Sequence, residues 1–208
     1  TKADQSAFPA TKQEIQSLLL PKPHAAESQL SSSRVDYFYF INKKSQGLVD
    51  IHGNTIIPLT ANQAILPPSD NMLRLAKVEK KQIAKAYYDL DAEVMVRISS
   101  SEKGKFGAFS HNLAPVSLDD ELFFIDKKGN KVIGGLSKAF LSNEGYRVVQ
   151  KGSAFGAIDS TGAVVIPIEY TNSLTSVNNG RLGVQKNASW FYVDMKGQIV
   201  SDKYDRIG

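Results

Sequence analysis

Short apolar runs along this chain are separated by polar turns, and several of these turns share one pattern. An apolar residue is followed by Asp, two spacers and Gly, and then by a run rich in β-branched residues. The pattern occurs at residues 49–53, 125–129, 158–162 and 193–197. Successive Asp residues are 76, 33 and 35 positions apart, so the first interval spans about two periods of a repeat array. It predicts a degenerate copy at Asp89, where Ala92 replaces the Gly.

The residue types of this motif predict a tight turn. An Asp carboxylate can accept hydrogen bonds from the free backbone N–H groups of a type I turn, and Gly adopts the left-handed conformation that follows. The flanks, for example residues 155–158 and 163–167, are short and β-rich. We expect Pro167 to end its strand, because Pro cannot donate to a ladder. The predicted structural turn residues are Asp50, Gly53, Asp126, Gly129, Asp159, Gly162, Asp194 and Gly197.

A third strand is predicted before several of these hairpins. Residues 73–78, 94–98, 146–150 and 181–186 are short, and several alternate apolar with polar positions, which suits an antiparallel sheet with one covered face. Isolated hairpins are marginal in water, so neighbouring units must share a core. The prediction is an all-β array of antiparallel three-stranded or hairpin units over residues 36–205, which forms a solenoid, a barrel or a propeller-like body.

These repeats resemble the WG-repeat family of bacterial proteins, whose units read approximately Gly-Lys-Trp-Gly-x-Ile-Asp-x-x-Gly-x-Val-Val-Ile-Pro. Residues 152–170 carry the resemblance best, with Phe155-Gly156 at the Trp-Gly position. Residues 43–58 match next best, with Gln46-Gly47 at that position. In the last unit Trp190 keeps the aromatic residue but loses the Gly. The resemblance implies a β-hairpin repeat fold and no particular activity.

The first 33 residues do not match the repeats. Thr11 and Glu14 form a capping box that opens a short helix through Leu20, and Pro21 stops it. The surrounding Pro, Ala and Ser residues are typical of a tether, so the predicted domains are a tether at residues 1–33 and a repeat domain at 34–208. Because the chain begins without Met, we expect a removed targeting segment and an extracytoplasmic location, in the periplasm or lipid-anchored to the envelope.

Composition narrows the possible classes of function. The chain has 208 residues, 42% of them hydrophobic, and no run approaches the roughly 20 apolar residues that span a membrane. Cysteine is absent, which excludes disulfides and cysteine-ligated metals. The net charge of +4 comes from dispersed Lys residues, a pattern that favours solvated turns over a nucleic-acid interface.

Common catalytic motifs are missing: the sequence has no Gly-x-Ser-x-Gly elbow, P-loop, Gly-x-Gly-x-x-Gly or His-Glu-x-x-His. His24, His52 and His111 do not share metal-ligand spacing. Residues 89–93 are similar to the start of a calcium loop but lack its Gly at position six and its Glu at position twelve, where Ser100 stands. We interpret them as a degenerate turn and expect no enzyme activity, cofactor or metal.

Aromatic residues are concentrated at residues 37–41, 87–88, 123–124 and 190–192. Strands buried on both faces explain such runs, and an exposed binding face is the alternative. Residues 37–41 can also cap an otherwise unpaired sheet edge. The repeat pattern fails between residues 86 and 122, which is where we expect the partner to bind. The predicted binding residues are Tyr87, Tyr88, Asp89, Asp91, Phe106, Asp119, Asp120, Glu121 and Phe123.

Three functions from different classes fit this sequence. The first, which we prefer, is a non-catalytic protein–protein interaction module of the bacterial cell envelope. One form of it is an immunity protein or inhibitor that binds a secreted toxin. The second is a cell-wall or glycan-binding module, which requires exposed aromatic rings in a groove. The third is a hydrolase on a repeat scaffold, which requires converging acidic or His side chains.

Overall fold

The computed structural model describes residues 37–79, 82–98 and 104–207, and every regular element in these ranges is a β-strand. The helix predicted at residues 11–20 and the tether predicted at residues 1–33 lie outside the described residues. The strands form five antiparallel sheets, which confirms the predicted all-β array. The chain divides between residues 102 and 103 into two compact units, a boundary that falls inside the predicted repeat domain.

The first unit contains two sheets whose strands follow one another in chain order. One sheet consists of β1 (Tyr37–Asn42), β2 (Ser45–Asp50) and β3 (Thr55–Thr60). The other consists of β4 (Gln63–Ser69), β5 (Met72–Glu79), β6 (Gln82–Asp89) and β7 (Val94–Ile98). Both sheets contribute to one buried apolar cluster, formed by Leu48, Ile57, Ile65, Leu73, Leu75, Ala86 and Tyr88. The shared cluster stabilises sheets that would be marginal alone.

The second unit contains three sheets, again in chain order. The first consists of β8 (Lys105–Phe106), β9 (Ala114–Leu118), β10 (Glu121–Ile125) and β11 (Lys131–Leu136). The second consists of β12 (Lys138–Asn143), β13 (Tyr146–Lys151), β14 (Ala154–Ile158) and β15 (Val164–Tyr170). The third consists of β16 (Asn172–Ser173), β17 (Arg181–Lys186) and β18 (Ser189–Asp194).

The central sheet of the second unit packs on both faces. Val148 and Val149 are neighbours on β13, yet they belong to two different buried clusters, because successive side chains of a strand point to opposite faces. Val148 packs with residues of β17 and β18, including Leu182 and Phe191. Val149 packs with residues that include Phe124 of β10. Neighbouring repeats therefore share cores, as stacking of marginal hairpins requires.

Pro167 does not end its strand, so that prediction is wrong. β15 continues to Tyr170, and its pairing with β14 shifts register between Ala157↔Ile166 and Phe155↔Tyr170. A bulge of this kind leaves residues outside the ladder, so the missing N–H of Pro167 breaks no regular pairing. A Cβ atom at Gly156 would lie 2.6 Å from Ile166 O and 2.7 Å from Pro167 O. The bulged backbone therefore requires Gly at that position of the repeat.

Each of the five sheets has two edge strands in the described part of the chain. No single sheet closes on itself there, so the barrel alternative does not apply to these sheets. The edge of β18 is partly covered by the C-terminal residues, because Trp190 and Tyr204 exchange backbone hydrogen bonds of 2.8 Å. A second isolated bridge joins Val193 and Ile199. The described residues include no helix of the length and apolarity that a membrane crossing needs.

Candidate functional site

The four Asp residues of the repeat motif occupy equivalent turns. Asp50 Oδ1 accepts hydrogen bonds from the backbone N–H groups of His52 at 2.9 Å and Asn54 at 2.8 Å. The same two bonds, to the second and fourth residues after the Asp, recur at Asp126, Asp159 and Asp194. The Gly residues have φ angles of 77° at Gly53, 87° at Gly129, 88° at Gly162 and 75° at Gly197. The motif residues of each copy therefore form a turn.

The turns at Asp126 and Asp159 favour the ionised form of their carboxylates. At Asp126 burial raises the pKa, but hydrogen bonds from Asn130 and Lys128 outweigh it and hold the pKa below its ordinary value. At Asp159 burial is again opposed, in this case by hydrogen bonds from Thr161 and Ala163, and the pKa is again lowered. The negative charge of these two Asp residues therefore strengthens the hydrogen bonds that hold the turn.

The degenerate copy at Asp89 keeps the turn cap. Asp89 Oδ1 accepts hydrogen bonds from Asp91 N at 2.9 Å and Ala92 N at 3.0 Å. The residue with positive φ is Glu93, at 56°, one position after the Ala92 that replaces the motif Gly. In this copy the left-handed residue is therefore a glutamate four positions after the Asp, whereas in the other copies it is a Gly three positions after the Asp.

In the first unit, the predicted binding residues are mostly structural. Tyr87 and Tyr88 are each 1% exposed and Asp89 is 8% exposed, so these three side chains present almost no surface, and their contact with a partner stays a prediction. Burial raises the pKa of Tyr87, while Arg74 opposes the rise. Asp91 is exposed, but its carboxylate accepts hydrogen bonds of 3.0 and 3.1 Å from Asn71 Nδ2.

In the second unit, the three predicted acidic residues differ in their surroundings: Asp119 and Asp120 lie in an exposed turn, and Glu121 forms an ion pair. Asp119 and Asp120 are exposed in the β9–β10 turn, with φ angles of 50° and 63°. Glu121 Oε1 accepts from Lys131 Nζ at 2.5 Å and from Gly135 N at 3.0 Å. The hydrogen bond from Lys131 is the main reason that the pKa of Glu121 is lowered. The structure therefore gives Glu121 a cationic partner and places no opposed carboxylate against it.

The remaining predicted binding residues, Phe106 and Phe123, are half-buried on β8 and β10. The Phe123 ring centroid lies 5.0 Å from Lys131 Nζ, so this ring packs against the same ion pair. The structure places four of the nine predicted residues in the first unit and five in the second.

Residues 37–41 belong to β1. The interpretation of this run as a strand buried on both faces is wrong. Phe38 is 60% exposed, Tyr39 is 39% exposed and Ile41 is 66% exposed. Only β2 pairs with β1 among the described residues. The Phe40 ring covers Gly47 of β2 so closely that a Cβ atom there would collide with it. We call residues 37–42 the β1 edge.

Two of the three histidines lie in the described ranges, and neither belongs to a metal cluster. His52 sits in the Asp50 turn. His111 Nδ1 lies 2.8 Å from Ser142 Oγ and 3.2 Å from Ser110 Oγ, a contact that ties the 110–113 loop to β12. Within the described ranges no group of three or more His, Cys, Asp or Glu side chains is arranged to hold a metal ion.

A surface cleft of about 500 Å³ opens in the second unit. Its lining residues are Asn178, Asn179, Arg181 and Tyr192. The sequence pattern did not indicate this cleft, because Arg181 and Tyr192 lie on different strands, β17 and β18. Amide and guanidinium donors beside a tyrosine ring can bind hydroxyl or carboxylate groups of a small ligand.

Asp-capped hairpins that share cores with their neighbours define the chain as an all-β repeat protein. The family model described as WG containing repeat matches residues 155–190. This match confirms the WG-repeat resemblance and places one family repeat between β14 and β18. A comparison with curated proteins found no match.

The chain is also similar to several solved structures at low identity. Hsv2 from Kluyvelomyces marxianus is 14% identical, with a TM-score of 0.39, and the alignment covers 79% of this chain and 57% of that one. Hsv2p from Kluyveromyces lactis is 16% identical, with a TM-score of 0.37 and coverages of 80% and 62%. AztD from Citrobacter koseri is 12% identical, with a TM-score of 0.36 and coverages of 81% and 57%. The chain thus spans less than two thirds of each of these proteins.

Proposed function

We propose that the protein is a non-catalytic interaction module that binds another protein through the β1 edge. The observation that carries the proposal is the exposure of Phe38, Tyr39 and Ile41 on one edge strand. Edge strands are usually protected by charge, proline or a covering element, because they offer unpaired backbone groups to other chains. Large exposed apolar side chains at such an edge are typical of a binding surface.

The shape of the β1 edge favours strand addition. Among the described residues no strand pairs with its outer side, so an extended segment of a partner can pair with the alternate N–H and C=O groups that point outward. Phe40 is fixed over Gly47, and Tyr37 and Tyr39 pack edge to face with ring centroids 6.3 Å apart. The strand is therefore ordered before binding, which reduces the entropic cost of association.

The charges beside the β1 edge define the partner more closely. Lys43 and Lys44 are exposed in the turn between β1 and β2. An extended segment that places apolar side chains over Phe38 and Ile41 and an acidic residue beside these lysines complements the edge in shape and charge.

The biological form that we propose is an immunity protein of the bacterial envelope that occludes a secreted toxin. Such a protein needs a stable scaffold and a preformed binding surface, and it does not need a catalytic site. The first test is genetic: a toxin gene beside this one, together with recovery of the protein from the envelope fraction of its host, supports this form. A cytoplasmic fractionation profile contradicts the envelope part of the proposal.

Binding is tested with purified products of the adjacent genes by titration calorimetry. Phe38→Glu and Ile41→Lys place charges on the β1 edge at two side chains that are mostly exposed. We expect each to weaken binding by about 2 kcal/mol or more, roughly thirtyfold, as substitutions at a central apolar contact do. The matched control is Leu141→Lys, because Leu141 is 87% exposed on β12 of the second unit.

Two results would contradict this proposal. One is equal affinity of the wild type and both β1 variants for a partner that the protein binds. The other is a concentration-dependent dimer of the isolated protein that the β1 variants abolish, which assigns the edge to a second copy of the chain. Sedimentation equilibrium of the wild type and of Ile41→Lys distinguishes these outcomes.

Glycan binding is a second candidate, favoured by the cleft of the second unit. Tyr192 supplies a ring that can stack on a sugar, and Arg181 and the two asparagines supply donors. We expect Tyr192→Ala and Arg181→Ala to abolish retention on soluble peptidoglycan fragments, and Arg206→Ala, an exposed residue outside the cleft, to leave it unchanged. Equal retention of all four proteins would remove this candidate.

A further inference from the structure

The sequence contains a single Asn-Gly pair, Asn179-Gly180, in the turn before β17. Asn178 and Arg181 exchange backbone hydrogen bonds of 2.9 and 3.0 Å around this pair. The φ angles are 51° at Asn179 and 65° at Gly180, so both central residues are left-handed, as a type I′ turn requires. The structure therefore fixes the conformation of the one Asn that is followed by Gly.

An Asn followed by Gly can deamidate without an enzyme. The backbone nitrogen of the Gly attacks the side-chain carbonyl carbon of the Asn, so that an N–Cγ bond forms and the Cγ–Nδ2 bond breaks. Ammonia leaves and carries away the proton of the attacking nitrogen. The cyclic imide then takes up one water and opens to aspartate or isoaspartate. Gly hinders this attack least, because it has no Cβ atom.

The folded turn opposes this reaction, and Glu144 holds the turn. In type I′ geometry the nitrogen of Gly180 and the side chain of Asn179 lie on opposite sides of the Cα–C bond of Asn179, so the turn must open before the ring can close. The Glu144 carboxylate accepts hydrogen bonds from Asn179 N at 2.7 Å and from Gly180 N at 2.8 Å. It therefore holds the attacking nitrogen and the residue that must rotate.

The surroundings of the pair give the reaction room and water. Asn179 is exposed and lines the cleft together with Arg181 and Tyr192. A Cβ atom added at Gly180 would meet nothing within 4 Å. A carboxylate formed at position 179 would add a like charge beside Glu144, which weakens the contact between the two turns.

We propose that Asn179 is a deamidation site that Glu144 restrains, and that its conversion to an acid releases the β12–β13 turn from the turn before β17. The new carboxylate also lies in the cleft, where it opposes the positive charge of Arg181. Because hydrolysis of the imide is not reversed by water, each converted molecule keeps the altered cleft and the weakened contact between neighbouring repeats.

The site is tested by incubating the full chain in mildly alkaline buffer and mapping its peptides by mass spectrometry. Asn187-Ala188 supplies a reference in the same digest, since it is an exposed turn with φ angles of 51° and 63°. Glu144→Ala should accelerate conversion of Asn179 about fivefold or more, by the local opening that the lost bonds allow, and leave Asn187 unchanged. Glu169→Ala, which removes a carboxylate from the same unit, should change neither rate.

Gly180→Ala tests whether conversion proceeds through the ring. Ala188 has φ 63° at the same position of the next turn, so Ala fits this conformation, but its methyl group hinders the attacking nitrogen. Added to Glu144→Ala, it should reduce conversion of Asn179 to the level of Asn187, and circular dichroism checks that both variants fold. Equal or slower conversion in Glu144→Ala than in the wild type would overturn the restraint by Glu144. Failure of Asn179 to convert even in the urea-unfolded chain would overturn the assignment of the site.

Discussion

The side-chain amide of Gln63 donates to the backbone carbonyl of Gln46 at 3.1 Å and so joins the two sheets of the first unit. The same amide donates to Pro58 O at 3.2 Å, and Gln46 Oε1 accepts from Ile65 N at 2.7 Å. Because the two sheets share no backbone ladder, these side-chain bonds satisfy backbone groups that strand pairing leaves free. Gln63 is only 3% exposed, so water competes little for the hydrogen bonds of its side chain.

Replacing Gln63 with Leu should therefore destabilise the first unit more than its small change in volume suggests. The variant leaves two half-buried carbonyls with one partner fewer, and we expect a loss of about 1 kcal/mol or more in the free energy of unfolding. Urea unfolding measures it. The control is Gln198→Leu, at an exposed position, which should change the free energy by less than about 0.5 kcal/mol.

Gly156 supports a prediction about the bulge in β15. Gly156→Ala would press a Cβ atom against backbone oxygens of Ile166 and Pro167, which cannot rotate away as a side chain can. We expect a loss of about 1–3 kcal/mol, typical of overpacking. Gly152→Ala is the control: its φ is +59° but nothing lies within 4 Å of the added atom. It should cost only the backbone strain, about 1 kcal/mol. Equal losses for the two variants would contradict the steric explanation.

The turns and most strands could be predicted because their causes are local. Asp159 and Gly162 set the geometry of one turn, and β7 has the bounds that the alternation predicts at residues 94–98. The order of the strands within a sheet, in contrast, depends on contacts between residues that are distant in the sequence. Residues 37–41 have the apolar composition of a central strand but lie at an edge, whereas Tyr87 and Tyr88 lie on β6, which has strands on both sides.

The candidate surfaces were harder to predict for the same reason. The cleft, for example, joins residues of β17 and β18 with the turn before β17. Gln46 stands at the Trp position of the repeat, where the family pattern predicts a packed ring. Its structural role instead depends on Gln63 and Ile65 in the next sheet. A sequence motif can indicate where Gln46 lies in the repeat, but it cannot indicate that Gln46 bonds to residues of the next sheet.

The lowered pKa of Asp159 predicts acid sensitivity of its turn. The folded state holds the pKa below the ordinary value of 3.8, so the folded protein binds fewer protons than the unfolded chain. The stabilisation is therefore complete above about pH 5 and is lost as the pH falls through the folded pKa. Asp159→Asn should flatten the dependence of the free energy of unfolding on pH in this range. Urea titrations between about pH 2 and 6 measure it, and an unchanged slope would contradict the prediction.

Glu144 supports a prediction about coupling between neighbouring repeats. Its carboxylate accepts hydrogen bonds from Asn179 N at 2.7 Å and Gly180 N at 2.8 Å, and the adjacent Asn143 donates to Val177 O at 2.7 Å. These bonds connect the β12–β13 turn to the turn before β17, across two sheets of the second unit. Because the carboxylate is exposed, we expect Glu144→Ala to cost only about 1 kcal/mol.

A sharper test asks which amides lose protection when Glu144→Ala loses this stability. Hydrogen exchange of the Asn179 and Gly180 amides should accelerate about fivefold or more in Glu144→Ala, since about 1 kcal/mol of local protection is removed. Amides in the β14–β15 hairpin should keep their rates. The control is Glu169→Ala, because Glu169 pairs with Lys186 at 2.6 Å while both side chains are nearly half exposed, and such pairs contribute little. Acceleration at Asn179 in both variants would show that general destabilisation, and not the contact between the two turns, controls this site.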